Sequence, residues 1–112
     1  MAALPFSKVR RAGGLVFLAG EVPRADDGSV PSGIAAQTAL TLMKIAATLA
    51  GEGLSLADVV SCTAYLTDKA DFAAFNETYA KHFSDPLPVR TTVEAALMID
   101  ARVEITVVAK EK

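Results

Sequence analysis

The chain has 112 residues, of which 52% are hydrophobic and 21% charged, and this balance is typical of a folded protein rather than a disordered one. Eleven basic and thirteen acidic residues give a net charge of −2, so the chain lacks the basic field that drives nucleic-acid binding. One cysteine and one histidine exclude an intrachain disulfide and an ordinary zinc site. We therefore predict a single domain over residues 1–112 without a structural metal.

The start of the chain lacks the basic and apolar segments of a signal peptide, and no continuous apolar run reaches the length of a membrane span, about 18 residues. We expect no contact with a membrane, and a cytoplasmic location by default. The composition is nevertheless apolar for so short a chain, since small proteins expose much surface per unit volume. This excess predicts that a partner covers part of the surface.

The N-terminal part of the chain predicts a hairpin. Residues 6–12 and 15–22 have strand length and are separated by the pair Gly13 and Gly14. The second segment is apolar throughout, which predicts a strand buried on both faces. Residues 23–31 are rich in turn formers and indicate an exposed loop.

A first helix is predicted next, from Ser32 or Gly33 to Ala50, with Gly51 as its stop. Its apolar positions face a sheet, and its polar positions recur at helical spacing. The polar positions predict one solvated stripe: Gln37, Thr41, Lys44 and Thr48.

The middle of the chain predicts a strand followed by a second helix. Apolar and polar residues alternate from Val59 to Thr67, as in a half-buried strand. Asp68 and Asp71 can cap a helix that runs to about Phe83. Its aromatic residues share one face, which favours a core role over a cofactor stack: Phe72, Phe75, Tyr79 and Phe83.

Two final strands are predicted at about residues 89–96 and 102–110. The order of elements is then ββαβαββ, which indicates an α+β fold with one sheet. Two helices in a single layer cover only one face of such a sheet, so the opposite face must be solvated or meet another subunit.

The residues best suited to chemistry lie on the last two strands. The period of two places Arg90, Thr92 and Glu94 on one face, and we expect the alternate residues of that strand to face the helices. Glu104 belongs to the polar face of the last strand, so we expect it beside Arg90, away from the helices. A guanidinium there can hold a small carboxylate in a bidentate manner. From the residues alone, the spacing favours a cross-strand ion pair of Arg90 with Glu104 or Glu94.

Cys62 and His82 have ordinary structural interpretations. Cys62 falls on the apolar face of its strand, which favours a small core residue over a nucleophile. His82 lies near a helix C-terminus, where a histidine contacts the last carbonyls more often than it acts as a base. The common motifs of nucleotide-binding and hydrolytic sites are absent from the sequence.

Four segments of the chain carry a combined pattern. They are residues 12–23, the pair Gln37 and Thr38, residues 71–79, and a C-terminal set of Val89 to Glu94, Leu97, Val103 to Ile105 and Ala109. Together they resemble the RidA/YjgF family of reactive intermediate deaminases, matching in turn its second strand, the start of its first helix, its second helix and its C-terminal signature. The resemblance covers essentially the whole chain.

The resemblance implies a chorismate-mutase-like subunit, with ligand clefts between the subunits of a homotrimer. It also implies that reactive enamines and imines, such as 2-aminoacrylate, are hydrolysed to 2-oxo acids and ammonia without a cofactor. Arg90 matches the carboxylate-binding arginine of the family, and Glu104 matches its water-positioning glutamate. A small carboxylate is therefore the expected ligand, and the resemblance reverses the preference for an ion pair at Arg90.

Four positions depart from the pattern of the best-studied deaminases. Phe6 stands where they carry tyrosine, and Ala19, just before Gly20, where they carry serine. Thr92 replaces a frequent cysteine, and Glu21 replaces the more usual glutamine. The resemblance assigns substrate contacts to three of these positions and to the adjoining glycine: Phe6, Ala19, Thr92 and Gly20. The lost polar groups favour an alternative, a non-catalytic trimeric module that binds a 2-oxo acid or a similar carboxylate.

Overall fold

The computed structural model describes residues 3–112, so the first two residues of the predicted domain lie outside the described part. Within that part, the predicted order of strands and helices is confirmed. The elements are β1 (Val9–Ala12), β2 (Leu15–Leu18), α1 (Ile34–Gly51), β3 (Val59–Leu66), α2 (Phe72–Ala80), β4 (Val89–Glu94) and β5 (Val103–Lys110).

The strands form one mixed sheet in the order β1-β2-β5-β3-β4. β3 and β4 are parallel and are connected through α2, whereas the other neighbours pair antiparallel. Both helices pack on the same face of this sheet and contact each other. The predicted α+β architecture, with two helices on one face, is therefore confirmed.

The core lies between the helices and the sheet. The buried side of β5 is apolar at every second residue, at Val103, Ile105 and Val107, and it meets the apolar side of α1. By length and composition alone α1 is apolar enough to cross a membrane. Its most apolar side chains instead fill the core, at Leu42 and Leu49 among others.

The predicted solvated stripe of α1 is wrong at Gln37 and Thr41, which are buried. Buried polar groups need hydrogen-bond partners, and both residues have them. The Gln37 side chain donates to the Pro31 carbonyl at 2.9 Å and accepts from the Arg102 amide at 2.7 Å. The Thr41 hydroxyl donates to the Gln37 carbonyl at 2.8 Å.

Two strands differ from their predicted burial. β2 is shorter than expected and is buried on one face only, because Phe17 is 41% exposed between the buried Val16 and Leu18. β3 carries a bulge near its start, where the register shifts between Val59 and Ser61. The bulge turns Val59 into the core and leaves Val60 38% exposed, although simple alternation would place Val60 on the same face as the buried Cys62.

α2 follows a short 3₁₀ turn rather than beginning directly at its predicted caps. The Asp68 carboxylate accepts from the Ala70 amide at 2.9 Å and so caps this turn. The helix ends at Ala80, earlier than predicted, and His82 Nδ1 lies 3.0 Å from the Thr78 carbonyl oxygen. The predicted contact of His82 with the last helical carbonyls is confirmed.

The second face of the sheet, which we call the open face, is not covered by either helix. Phe17, Val89 and Val93 stand exposed on it, with the β-branched Thr63 and Val108 between them. Such a row of apolar and β-branched side chains is unusual for a surface that only meets water.

Candidate functional site

Arg90 lies on the helix-covered side of β4, so the predicted orientation of this strand is wrong. Its register partner is Cys62, which is 1% exposed, and Thr92 pairs with the equally buried Ala64. The apolar Val89, on the alternate side, points to the open face instead. β4 is the outermost strand, where a long arginine side chain can lay its stem over the core and still bring its charged end to the surface.

The Arg90 guanidinium is held by α2. Its Cζ lies 4.7 Å from the ring centre of Tyr79, 5.2 Å from that of Phe75 and 5.8 Å from that of Phe72. These distances are within the range of cation–π attraction. Its Nη2 donates a hydrogen bond of 2.6 Å to Asn76 Oδ1. The aromatic side chains of α2 therefore bind the Arg90 guanidinium in addition to forming part of the core.

Neither predicted ion pair of Arg90 forms within residues 3–112. The Glu94 carboxylate accepts instead from the Lys69 amide at 2.8 Å. Glu104 lies on the opposite face of the sheet, where Tyr65 is its register partner. Apart from its bond to Asn76, the guanidinium has no hydrogen-bond acceptor in the described part of the chain, so its other N–H groups remain open to an anion.

Asn76 is a site residue that the sequence analysis missed. An asparagine within a helix is unfavourable unless its amide has a partner. Asn76 falls four residues after Phe72 and three before Tyr79, on the same face of α2 as the aromatic stripe. A polar residue inside an otherwise apolar stripe was the signal that could have identified it.

Cys62 and Tyr79 lie beneath Arg90. Burial raises the pKa of the Cys62 thiol, and burial together with the neighbouring thiol raises the pKa of the Tyr79 hydroxyl, while the positive charge of Arg90 opposes both shifts. Both groups stay neutral at physiological pH and add no negative charge beside the guanidinium. The interpretation of Cys62 as a small core residue is confirmed.

Gly20 and Glu104 come together on the open face. Residue 21 forms a two-way backbone bridge with Ile105, at 2.8 and 3.0 Å, and this bridge sets Gly20 against the Glu104 side chain. A Cβ atom on Gly20 would collide with the Glu104 carboxylate and lie 3.2 Å from Thr106 Oγ1. Only glycine therefore permits this close approach, which confines the carboxylate between β5 and the residues after β2.

Glu21 is held on the helix side of the same segment. Its carboxylate forms ion pairs with Lys44, at 3.2 Å from Nζ, and with Lys8, at 3.6 Å from Nζ, and its side chain is 13% exposed. Lys44 also donates to the Arg24 carbonyl at 2.6 Å and the Val22 carbonyl at 3.2 Å. The lysine thus ties the segment after β2 to α1 and keeps Gly20 on the open face.

The structure divides the predicted site residues into two groups within one chain. Arg90 and Thr92 lie on the helix side at the β4 edge, and Gly20 and Glu104 lie on the open face. Ala19 adjoins the second group, whereas Phe6 precedes β1 and is 59% exposed.

Two clefts flank the first group. One, of about 460 Å³, lies between Arg90, the second half of α2 and the residues that follow this helix. The other, of about 300 Å³, includes Phe72 and Thr92. Arg90 therefore borders the larger cleft and Thr92 the smaller one, and both volumes fall in the range of small-molecule sites.

Comparison with known proteins agrees with this architecture. The family model described as Endoribonuclease L-PSP matches residues 1–111. The mitochondrial protein mmf2 of Schizosaccharomyces pombe is 42% identical over 91 residues, which cover 81% of this chain and 72% of that protein. The chloroplastic Reactive Intermediate Deaminase A of Arabidopsis thaliana is 36% identical over 108 residues, which cover 94% of this chain and 58% of the relative.

Solved structures show the same fold. RidA from an Antarctic Psychrobacter species superposes with a TM-score of 0.90 at 30% identity, over 98% of this chain and 91% of that one. Escherichia coli TdcF with bound serine superposes with a TM-score of 0.89 at 31% identity, over 99% of this chain and 91% of TdcF. The chain belongs to the RidA/YjgF family, as the resemblance in its sequence implied.

Proposed function

We propose that the chain is a cofactor-independent deaminase that hydrolyses 2-imino acids, and the enamines in equilibrium with them, to 2-oxo acids and ammonia. The observation that carries the proposal is the Arg90 guanidinium, which Asn76 and three aromatic rings orient while no carboxylate of the described chain neutralises it. A planar cation in such surroundings suits a carboxylate ligand. The Arabidopsis relative named as a reactive intermediate deaminase supports the same class of reaction.

We further propose that the site is completed by a second copy of the chain. Arg90 and Glu104 lie on opposite faces of one sheet, so a ligand cannot reach both within one chain. The open face beside Glu104 exposes Phe17 and Val93, each 41% exposed, and packing against other copies would bury them. A homotrimer would then form three equivalent clefts, each with Arg90 from one copy and Glu104 from its neighbour.

The chemistry follows from these two groups. Arg90 holds the substrate carboxylate, and the Glu104 carboxylate of the neighbouring copy orients a water molecule toward the imine carbon. The water oxygen bonds to this carbon as the C=N π bond breaks, and one proton of the water passes to the nitrogen, which gives a carbinolamine. The hydroxyl proton of the carbinolamine then passes to the amine, and the C–N bond breaks as the C=O bond forms. One imine and one water thus give one 2-oxo acid and one ammonia.

An assay with freshly generated imines tests the proposal. An amino-acid oxidase supplies the 2-imino acid, and semicarbazide captures the portion that has not been hydrolysed. We expect the protein to lower the yield of semicarbazone in proportion to its concentration, and Arg90→Ala to abolish the effect. If the yield of semicarbazone equals that in buffer for several amino-acid-derived imines, the protein is not a deaminase of this kind.

A binding module for small carboxylates is the second candidate. A single chain already contains the whole arrangement around Arg90, and the structurally similar TdcF was crystallised with serine, which carries a carboxylate. Calorimetric titration with pyruvate and 2-oxobutyrate separates the two candidates. Saturable binding without imine hydrolysis would select the module.

A further inference from the structure

The larger cleft beside Arg90 has far more room than a two- or three-carbon ligand needs. Its volume is about 460 Å³, within the range of about 300 to 1,000 Å³ typical of small-molecule pockets. Arg90 lies at one side of it, and the small Ala80 leaves space along α2. A carboxylate bound to the guanidinium can therefore extend a side chain into this cleft.

The surface of the cleft away from Arg90 is largely apolar. The Phe83 ring stacks on the Tyr79 ring with 4.6 Å between their centres, and Leu87 adds an aliphatic side chain that is 62% exposed. An unfilled apolar surface of this kind gains free energy when an alkyl or aryl group covers it. A substrate with a long apolar side chain would supply such a group.

The charges around the cleft accommodate one carboxylate and disfavour a second. Arg90 is the cation among the lining residues, and Asp85 is the acidic one. The Tyr79 hydroxyl contributes no charge, because burial raises its pKa. A dicarboxylic side chain would bring its second negative charge toward Asp85 and an apolar wall.

We infer that this cleft is a side-chain pocket that selects 2-imino and 2-oxo monocarboxylic acids with branched or aromatic side chains, of the type derived from leucine or phenylalanine. The inference rests on the proposed function, since it uses Arg90 as the carboxylate anchor. It makes Ala80, Phe83 and Leu87 the residues that determine specificity.

Binding of 2-oxo acids tests the inference without catalysis. We expect calorimetry to give 4-methyl-2-oxopentanoate an affinity at least about tenfold higher than that of pyruvate, because each extra buried carbon contributes to binding. 2-Oxoglutarate should bind more weakly than 4-methyl-2-oxopentanoate. Equal affinities, or tighter binding of pyruvate or 2-oxoglutarate, would overturn the inference, as would the absence of any binding.

A variant that fills the cleft supplies a second test. Ala80 is an exposed residue of α2 that lines the cleft, and Ala74 is an exposed alanine of the same helix outside it. Ala80→Phe should remove the preference for 4-methyl-2-oxopentanoate and leave pyruvate binding within about twofold. Ala74→Phe should leave both affinities unchanged. An unchanged preference in Ala80→Phe would show that the side chain lies elsewhere.

Failure of the inference can be told apart from failure of the proposed function. If imines are hydrolysed but pyruvate binds as tightly as 4-methyl-2-oxopentanoate, the proposed deaminase function is supported and the inferred side-chain pocket is rejected. If the branched acid is preferred but no imine is hydrolysed, the pocket stands and the protein is a binding module.

Discussion

Arg90 and Glu104 lie on opposite faces of the sheet, on strands that flank β3. The spacing of the two residues in the sequence predicted that they share a face, and the resemblance to the family gave both a role at one site. The predicted shared face is wrong, and a common site for both residues is compatible with the structure only if they come from different copies. This relationship makes the assembly part of the proposed chemistry.

Mixing two inactive variants provides a direct test. Arg90→Ala and Glu104→Gln should each be inactive alone, because each removes one half of every site. When the two are refolded together into mixed trimers, about a quarter of the sites should contain both native residues, and imine hydrolysis should return to about that level. No recovery in trimers shown by mass to be mixed would place both residues of a site in one copy.

Replacement of Arg90 distinguishes its geometry from its charge. We expect Arg90→Ala to weaken binding of 2-oxo acids by about 1.5 to 3 kcal/mol, the value of a charge-assisted hydrogen bond. Arg90→Lys should rescue little, since lysine keeps the charge but lacks the planar fork that Asn76 orients. The measurement is calorimetry, with the exposed Arg24→Ala as a control that should bind normally. Full rescue by lysine would indicate a purely electrostatic role.

A side chain at position 20 should displace the Glu104 carboxylate. Gly20→Ala places a Cβ against the Glu104 carboxylate, which must then move, and we expect kcat/KM to fall by about 10- to 100-fold. Gly51→Ala is the matched control, because its Cβ would meet open space at the end of α1. That change should leave activity unaltered and raise the free energy of unfolding by up to about 1 kcal/mol. Normal activity in Gly20→Ala would show that the close approach of Gly20 to Glu104 is not required for catalysis.

The assembly should depend on the open face. Light scattering should give about three times the chain mass of 11.7 kDa. Phe17→Glu places a charge on the open face and should shift the protein toward monomer, because burial of an unpaired carboxylate is unfavourable. Met43→Glu, on the exposed side of α1, should leave the mass unchanged. A monomeric wild-type protein at micromolar concentration would contradict the trimer.

Stability should fall at alkaline pH because of the buried Cys62 and Tyr79. Burial raises the pKa of both groups in the folded protein, so the unfolded chain releases their protons first. Their contribution is complete at neutral pH and declines above the ordinary thiol range, about pH 8.5 to 9. Urea unfolding at pH 7.5 and 9.5 should show the decline, and the double variant Cys62→Ala with Tyr79→Phe should show a smaller one. An equal decline in the double variant would assign it to other groups.

The order of elements could be predicted because its signals are local. Alternation over a few residues, glycine pairs and cap residues depend on backbone geometry within each segment, and they placed every strand and helix within a few residues. The functional groups of Arg90 and Glu104 were also evident from the sequence, since residue type alone determines that one carries a guanidinium and the other a carboxyl group.

The direction in which those side chains point was decided by the tertiary structure. The alternation of β4 shows only that its two faces differ, and the apolar Val89 and Val93 face the open side rather than the helices. Which face meets α2 depends on the parallel pairing of β4 with β3, a contact between segments distant in the chain. The predicted exposure of Gln37 is wrong for the same reason, because its partners come from the loop before α1 and from Arg102, the residue just before β5. A polar side chain is buried wherever folding brings it hydrogen-bond partners, and those partners are not encoded in its own segment.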